Sequence, residues 1–208
     1  MNNIIEAKPN NNINKYLLFC LFELFKIKLP KDYLKSIINV IKNNLSFVFE
    51  KDITIIDDND IKHYDKLTSV VIPNTVNIIG DYAFYNCEKL TSVVIPNSVT
   101  IIGNYAFRYC EKLTDIVIPD SVNRIGYSAF EDCNSMTSIV IPDSITIIRN
   151  FTFYYCTSLT NIIIPNSITS IGKYSFSNCK KLVSVNIPKS VTNIGNGAFP
   201  KHTKIEYK

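Results

Sequence analysis

Cysteine is the most reactive residue type that this chain uses repeatedly. Cys87, Cys110, Cys133, Cys156 and Cys179 recur every 23 residues, with Cys20 standing apart near the N-terminus. A thiol attacks or ligates as its thiolate, which needs a neighbouring cation, a helix N-terminus or a metal. Five thiols at one repeated position share one role, and an odd set cannot pair wholly within itself. Free cysteine is among the most buried residue types, so the row reads as core thiols. The alternative, disulfides between adjacent repeats, requires an oxidising compartment. The remaining chemistry is sparse. His63 and His202 lie far apart in the chain, and no triad can be assembled around either. Asp57-Asp58-Asn59-Asp60 is acidic but lacks the glycine and distal glutamate of an EF-hand loop. There is no phosphate-binding glycine loop and no Cys-x-x-Cys pair. The expectation is a non-enzymatic protein with no catalytic residue, cofactor or metal.

What places the cysteines is a 23-residue unit. Pro73, Pro96, Pro119, Pro142, Pro165 and Pro188 keep the same spacing, as do Phe84, Phe107, Phe130, Phe153, Phe176 and Phe199. Gly80, Gly103, Gly126, Gly172 and Gly195 follow it too, with Arg149 breaking the series. The copy at Leu67 reads LTSVVIPNTVNIIGDYAFYNCEK and the next, at Leu90, reads LTSVVIPNSVTIIGNYAFRYCEK. Six such copies span residues 67–199. Self-similarity at this period marks a stacked repeat architecture, because one unit cannot bury its own apolar face.

Within a unit, Val93 and Ile95 alternate as in a strand, and Pro96 ends it for want of an N–H. Asn97 and Ser98 form a turn, and Val99 to Ile102 make a second extended piece closed by Gly103. Ala106, Phe107 and Cys110, spaced by three and four, predict a short helical turn that plugs the coil with a ring. The pattern I-P-x-S-V-x-x-I-G followed by A-F-x-x-C resembles the BspA-like class of leucine-rich repeats, over about two-thirds of the chain. That resemblance implies an α/β repeat solenoid: a right-handed coil with a parallel β-ladder on one face and short helical turns.

Upstream, Asn44 to Lys66 keeps the register weakly, with Phe47, Phe49, Ile53 and Ile56 on apolar positions; it reads as a degenerate capping repeat. Residues 200–208 read as a cap strand, with Ile205 lying 23 after Leu182 and Lys204 and Glu206 discouraging further pairing. Residues 1–12 are Asn-rich and expected to be disordered. Residues 13–43 are read as a helical N-terminal segment. The apolar run from Tyr16 to Phe25 is too short to span a bilayer, and no small-residue cleavage site follows it. Leu34, Ile37, Ile38 and Ile41 form a helical stripe after Pro30. The stretch LPKDYLKSII also resembles the opening of an F-box, which implies a ubiquitin-ligase adaptor acting through residues 29–42.

A net charge of +4 is spread without a block of like charges, so nucleic acid is not an expected partner. No transmembrane span is expected, and the protein is read as a monomer that binds another protein. Two faces compete for that role. Outward strand positions Val71, Val94, Val117, Val140 and Ile163 predict an apolar stripe, beside rows of Thr and Ser. The aromatic alternative gathers Tyr85, Tyr109, Tyr127, Tyr154 and Tyr155, a residue type favoured in interfaces. The cysteines and the missing signal favour an intracellular protein. A surface or secreted adhesin, implied by some relatives, is the alternative. Asn44-Leu45-Ser46 and Asn150-Phe151-Thr152 match the glycosylation pattern.

Overall fold

The computed structural model describes residues 53–57 and 67–208. The segments 13–43 and 29–42, Cys20 and His63 therefore lie outside the described residues. Each coil contributes two short strands. The first row comprises β2 (Ser69–Val71), β4 (Ser92–Val94), β6 (Asp115–Ile116), β8 (Ser138–Val140), β10 (Asn161–Ile163), β12 (Ser184–Ile187) and β14 (Lys204–Tyr207). The second row comprises β1 (Ile55–Ile56), β3 (Ile78–Ile79), β5 (Ile101–Ile102), β7 (Arg124–Ile125), β9 (Ile147–Ile148), β11 (Ser170–Ile171) and β13 (Asn193–Ile194). All pairing is parallel and offset by one repeat, as in Val70 opposite Val93 and Ile78 opposite Ile101. The result is a parallel-strand solenoid of about six turns. Its last connection is shorter: Ile205 lies opposite Val185, not Leu182, and the buried Thr203 hydroxyl donates to Leu182 O at 2.6 Å.

The core is a set of rows running along the stack. Phe84 through Phe176 are fully buried, with successive ring centroids 5.0, 5.4, 5.6 and 5.2 Å apart and planes within 10° of parallel. Coils spaced by roughly the 4.8 Å of a β-ladder hold identical rings in offset stacks. Leu, Ile, Val and Cys rows fill the rest.

The helical turns expected of Ala106 to Cys110 and its equivalents do not form, and no helix occurs among the described residues. In each of the first five full coils two residues adopt left-handed backbone, Tyr105 at φ 57° and Tyr109 at φ 63° in the second. Between these flips the amides alternate. Phe107 N donates to Ala129 O of the next coil at 2.8 Å, whereas Arg108 N donates back to Tyr105 O at 3.1 Å. Tyr109 N again reaches forward, to Glu131 O, and Cys110 N back, to Phe107 O. A helix would consume every amide inside its own coil. A solenoid must pass half of them to its neighbour, and the left-handed residues turn them that way.

Arg149 has a structural consequence. A Cβ on Gly126 would lie 2.4 Å from Gly103 C, and one on Gly172 would lie 2.5 Å from Arg149 C, so these positions stack backbone on backbone. Gly103, Gly126, Gly172 and Gly195 each donate their amide to an isoleucine carbonyl one coil back. Arg149 has no such bond among the described residues, and the second row splits there into β1-β3-β5-β7 and β9-β11-β13. Thr152, standing where the two preceding coils carry Ala106 and Ala129, spans this seam: its hydroxyl donates to Arg149 O at 2.9 Å and Gly126 O at 3.4 Å. That hydroxyl is buried, while Asn150 and Phe151 of the Asn150-Phe151-Thr152 pattern are half-buried.

Candidate binding surfaces

Cys87, Cys110, Cys133, Cys156 and Cys179 are free and buried. Four of them donate to the carbonyl of a phenylalanine in the preceding coil, Cys110 Sγ to Phe84 O and Cys133 Sγ to Phe107 O, each at 3.2 Å, being typical. Burial pushes the Cys110, Cys133 and Cys156 thiols well up and that of Cys179 up to about 12, away from nucleophilic chemistry. Because these folded-state values lie above the ordinary 9.0, the stabilisation they confer is complete below pH 9 and is lost as pH rises towards about 12. The slope approaches about 1.4 kcal/mol per pH unit per thiol. The urea midpoint is therefore expected to fall steadily between roughly pH 9 and 11; a flat midpoint there would contradict the burial. Among the described residues no group of His, Cys, Asp or Glu is arranged to hold a metal ion.

The strand face is unequal along the stack. Val71 is half-buried and Val94 is only 5% exposed, whereas Val117, Val140 and Ile163 are 43%, 65% and 60% exposed. The neighbouring threonines are engaged within the stack: Thr91 Oγ1 donates to Thr68 O at 2.9 Å and Thr160 Oγ1 to Thr137 O at 3.1 Å. The exposed part of this face carries three β-branched side chains on consecutive coils, flanked by exposed polar residues such as Ser138 and Asn161.

The tyrosines separate into three places. Tyr85 and Tyr109 meet edge to face at 5.5 Å, beside Tyr82 and Tyr105, whose rings stack at 4.8 Å. Arg108 lies 4.6 Å above the Tyr109 ring, donates to its hydroxyl at 2.9 Å and pairs with Glu131 at 2.7 Å. Tyr154 and Tyr155 form a second group with Phe151. Ser128 occupies the row between them, so the aromatic face is not continuous. Tyr82, Tyr105, Phe151 and Tyr174 belong to these groups; their 23-residue spacing was the signal for them.

Tyr127 stands elsewhere, at the seam. Arg149 Cζ lies 5.2 Å from its ring centroid, and Arg149 Nη1 donates to its hydroxyl at 3.3 Å. Below them an open groove of about 320 Å³ runs along the outer side of β9, β11 and β13, lined among others by Arg149, Asn150, Ser170, Lys173, Asn193 and Asn196. Sequence reasoning had passed over this group. Its signal was the coincidence of Arg149, Thr152 and Tyr127 at one junction, each departing from its repeat row.

Stacked 23-residue coils with inward Leu, Ile and Val rows define the chain as a leucine-rich-repeat protein. The model of the BspA type leucine rich repeat region matches in six copies over residues 1–91, 42–157 and 77–206. The chain belongs to that family. A leucine rich cell surface protein of Faecalibacterium prausnitzii is 41% identical, with a TM-score of 0.61; the match covers 65% of this chain and 37% of that one. This chain thus spans well under half of that protein. The leucine rich repeat protein of T. pallidum is 32% identical over 67% of this chain and 72% of its own, with a TM-score of 0.56. A leucine-rich repeat protein from Eubacterium ventriosum is 26% identical over 76% and 48%, with a TM-score of 0.57. No curated protein is significantly similar to the chain. Among the described residues no helix is long and apolar enough to cross a membrane.

Proposed function

We propose that the chain is a non-catalytic recognition module that seats a protein partner on the exposed half of its first strand row. The observation that carries this reading is the stripe of Val117, Val140 and Ile163, whose exposure serves no packing inside the coil stack. Burying a Val or Ile side chain contributes about 1.5–3 kcal/mol, so three adjacent ones form a credible centre for an interface. Parallel strands also hold them rigidly, at roughly 4.8 Å intervals, which limits the entropy lost on docking. The divided aromatic surface offers no comparable row.

A second reading concerns place. The Faecalibacterium protein is described as a cell surface protein, which favours the surface-adhesin alternative over the intracellular one. Trypsin applied to intact cells is expected to degrade the chain; full protection would restore the intracellular reading.

The docking face is tested by photo-crosslinking in those cells. A benzoylphenylalanine at position 140 is expected to yield a discrete adduct that disappears when Val117→Lys and Ile163→Lys are combined. Both positions are exposed, and such surface changes alter stability by about 0.5 kcal/mol or less. Adducts arising from position 155 and not from 140 would overturn the strand-face reading.

A further inference from the structure

The groove begins at Tyr127 and Arg149, where the third and fourth full coils meet, and runs over the fourth to sixth coils, and its lining has a consistent chemistry. Two cations, Arg149 and Lys173, stand with three amides, a serine hydroxyl and the Tyr127 ring, and no carboxylate is among the lining residues. Neither cation has an acidic partner among the described residues, in contrast to Arg108, which is paired with Glu131. We propose that this groove binds an acidic saccharide, a sugar carrying a carboxylate or a sulfate.

Each feature of such a ligand has a counterpart. The guanidinium presents a planar fork that matches carboxylate and sulfate oxygens in pairs. Among the described residues it has one side-chain partner, the Tyr127 hydroxyl at 3.3 Å, a long contact that leaves the other donors for a ligand. Lys173 is exposed and supplies a second positive charge one coil further on. Tyr127, 41% exposed, offers a ring face to the C–H side of a sugar. Asn193 Nδ2 donates to Ser170 Oγ at 3.3 Å, so a row of amide and hydroxyl groups lies ready for sugar hydroxyls. Asn150 Oδ1 is committed to Lys173 N at 2.8 Å, which fixes that amide in the groove.

Size favours the same class. The volume of about 320 Å³ lies near the lower limit of ligand pockets, which run from roughly 300 to 1,000 Å³. Three coils span about 10 Å along the stack, room for one or two sugar rings. Nucleic acid binding draws on roughly 6–10 phosphate contacts, and two cations cannot supply them. The proposal concerns a surface separate from the Val117–Val140–Ile163 stripe and stands or falls apart from it.

The test is titration calorimetry of the full chain at about 150 mM salt, where weak surface attraction is screened. The probes are a hyaluronate hexasaccharide, a heparin-derived hexasaccharide, neutral maltohexaose and polyglutamate. Saturable binding of hyaluronate alone identifies carboxylate as the recognised group, and of heparin alone, sulfate; either supports the proposal. Arg149→Gln keeps the Cβ at the seam, removes the charge, and is expected to weaken binding roughly tenfold or more. Lys173→Gln should weaken it several-fold, and Val140→Lys not at all. The proposal is overturned by equal binding of maltohexaose or polyglutamate, by unchanged affinity in Arg149→Gln, or by no saturation with either acidic sugar up to about 1 mM.

Discussion

Replacing Phe130 with alanine is expected to lower the unfolding free energy by about 3–5 kcal/mol, the largest effect of any single side-chain truncation in the stack. The ring is fully buried and lies between Phe107 at 5.4 Å and Phe153 at 5.6 Å, each within 3° of parallel. Truncation removes its buried area, leaves a cavity that the rigid coils cannot close, and breaks two ring contacts at once. Stability in a solenoid is close to a sum over coils and their interfaces, so a defect in the middle weakens both halves. Phe199, at the last ring position and only partly buried, stacks on Phe176 alone. Its truncation should cost about half as much. Urea denaturation of both variants checks this. Equal losses at the two positions would show that the ring row does not act as a ladder.

Gly126→Ala is expected to destabilise the protein by about 1–3 kcal/mol or more, although only one methyl is added. The new Cβ would sit 2.4 Å from Gly103 C and 2.5 Å from Gly103 O, all backbone atoms held by the β5–β7 pairing. Nothing there can rotate away, so the coils must part. The amide of residue 126, bonded to Ile102 O at 2.9 Å in the native stack, should lose its protection from hydrogen exchange. The chain already contains this experiment at Arg149, where the same ladder is interrupted. Arg149→Gly should correspondingly gain amide protection across the junction between β7 and β9. Unaltered exchange in both variants would mean that the seam has another origin.

Much of the architecture was legible in the residues. Six prolines at one spacing set the register, and the pairing of Val70 with Val93 and of Ile101 with Arg124 follows it without a shift. The burial of the five repeated cysteines was legible too, because an odd, periodic set of thiols cannot pair wholly within itself and free cysteine favours the interior. The helical turn was misread. Spacings of three and four between Ala106, Phe107 and Cys110 place side chains inward in a helix, and equally in a chain that flips through left-handed residues. Tyrosine at positive φ is not what local preference selects; the demand of the next coil for hydrogen-bond donors overrides it. The strand face was read as uniform, since its outward residues are all β-branched. Val94 at 5% exposure and Val140 at 65% have the same type and the same register, so no sequence pattern distinguishes them.

The seam shows the division between sequence and tertiary structure most directly. That Arg149 interrupts a glycine row could be read from the residues alone. So could the period and the two strands per unit, because each depends on residue type at a fixed spacing. What the interruption does depends on how closely successive backbones approach at that row. Only stacked coils reveal that the second ladder is interrupted at this row, that Arg149 lies against Tyr127, and that a groove runs on from them over Ser170 and Lys173. Repetition is encoded locally, residue by residue, whereas the consequences of breaking it arise from contacts 23 residues away, which exist only once the coils are stacked.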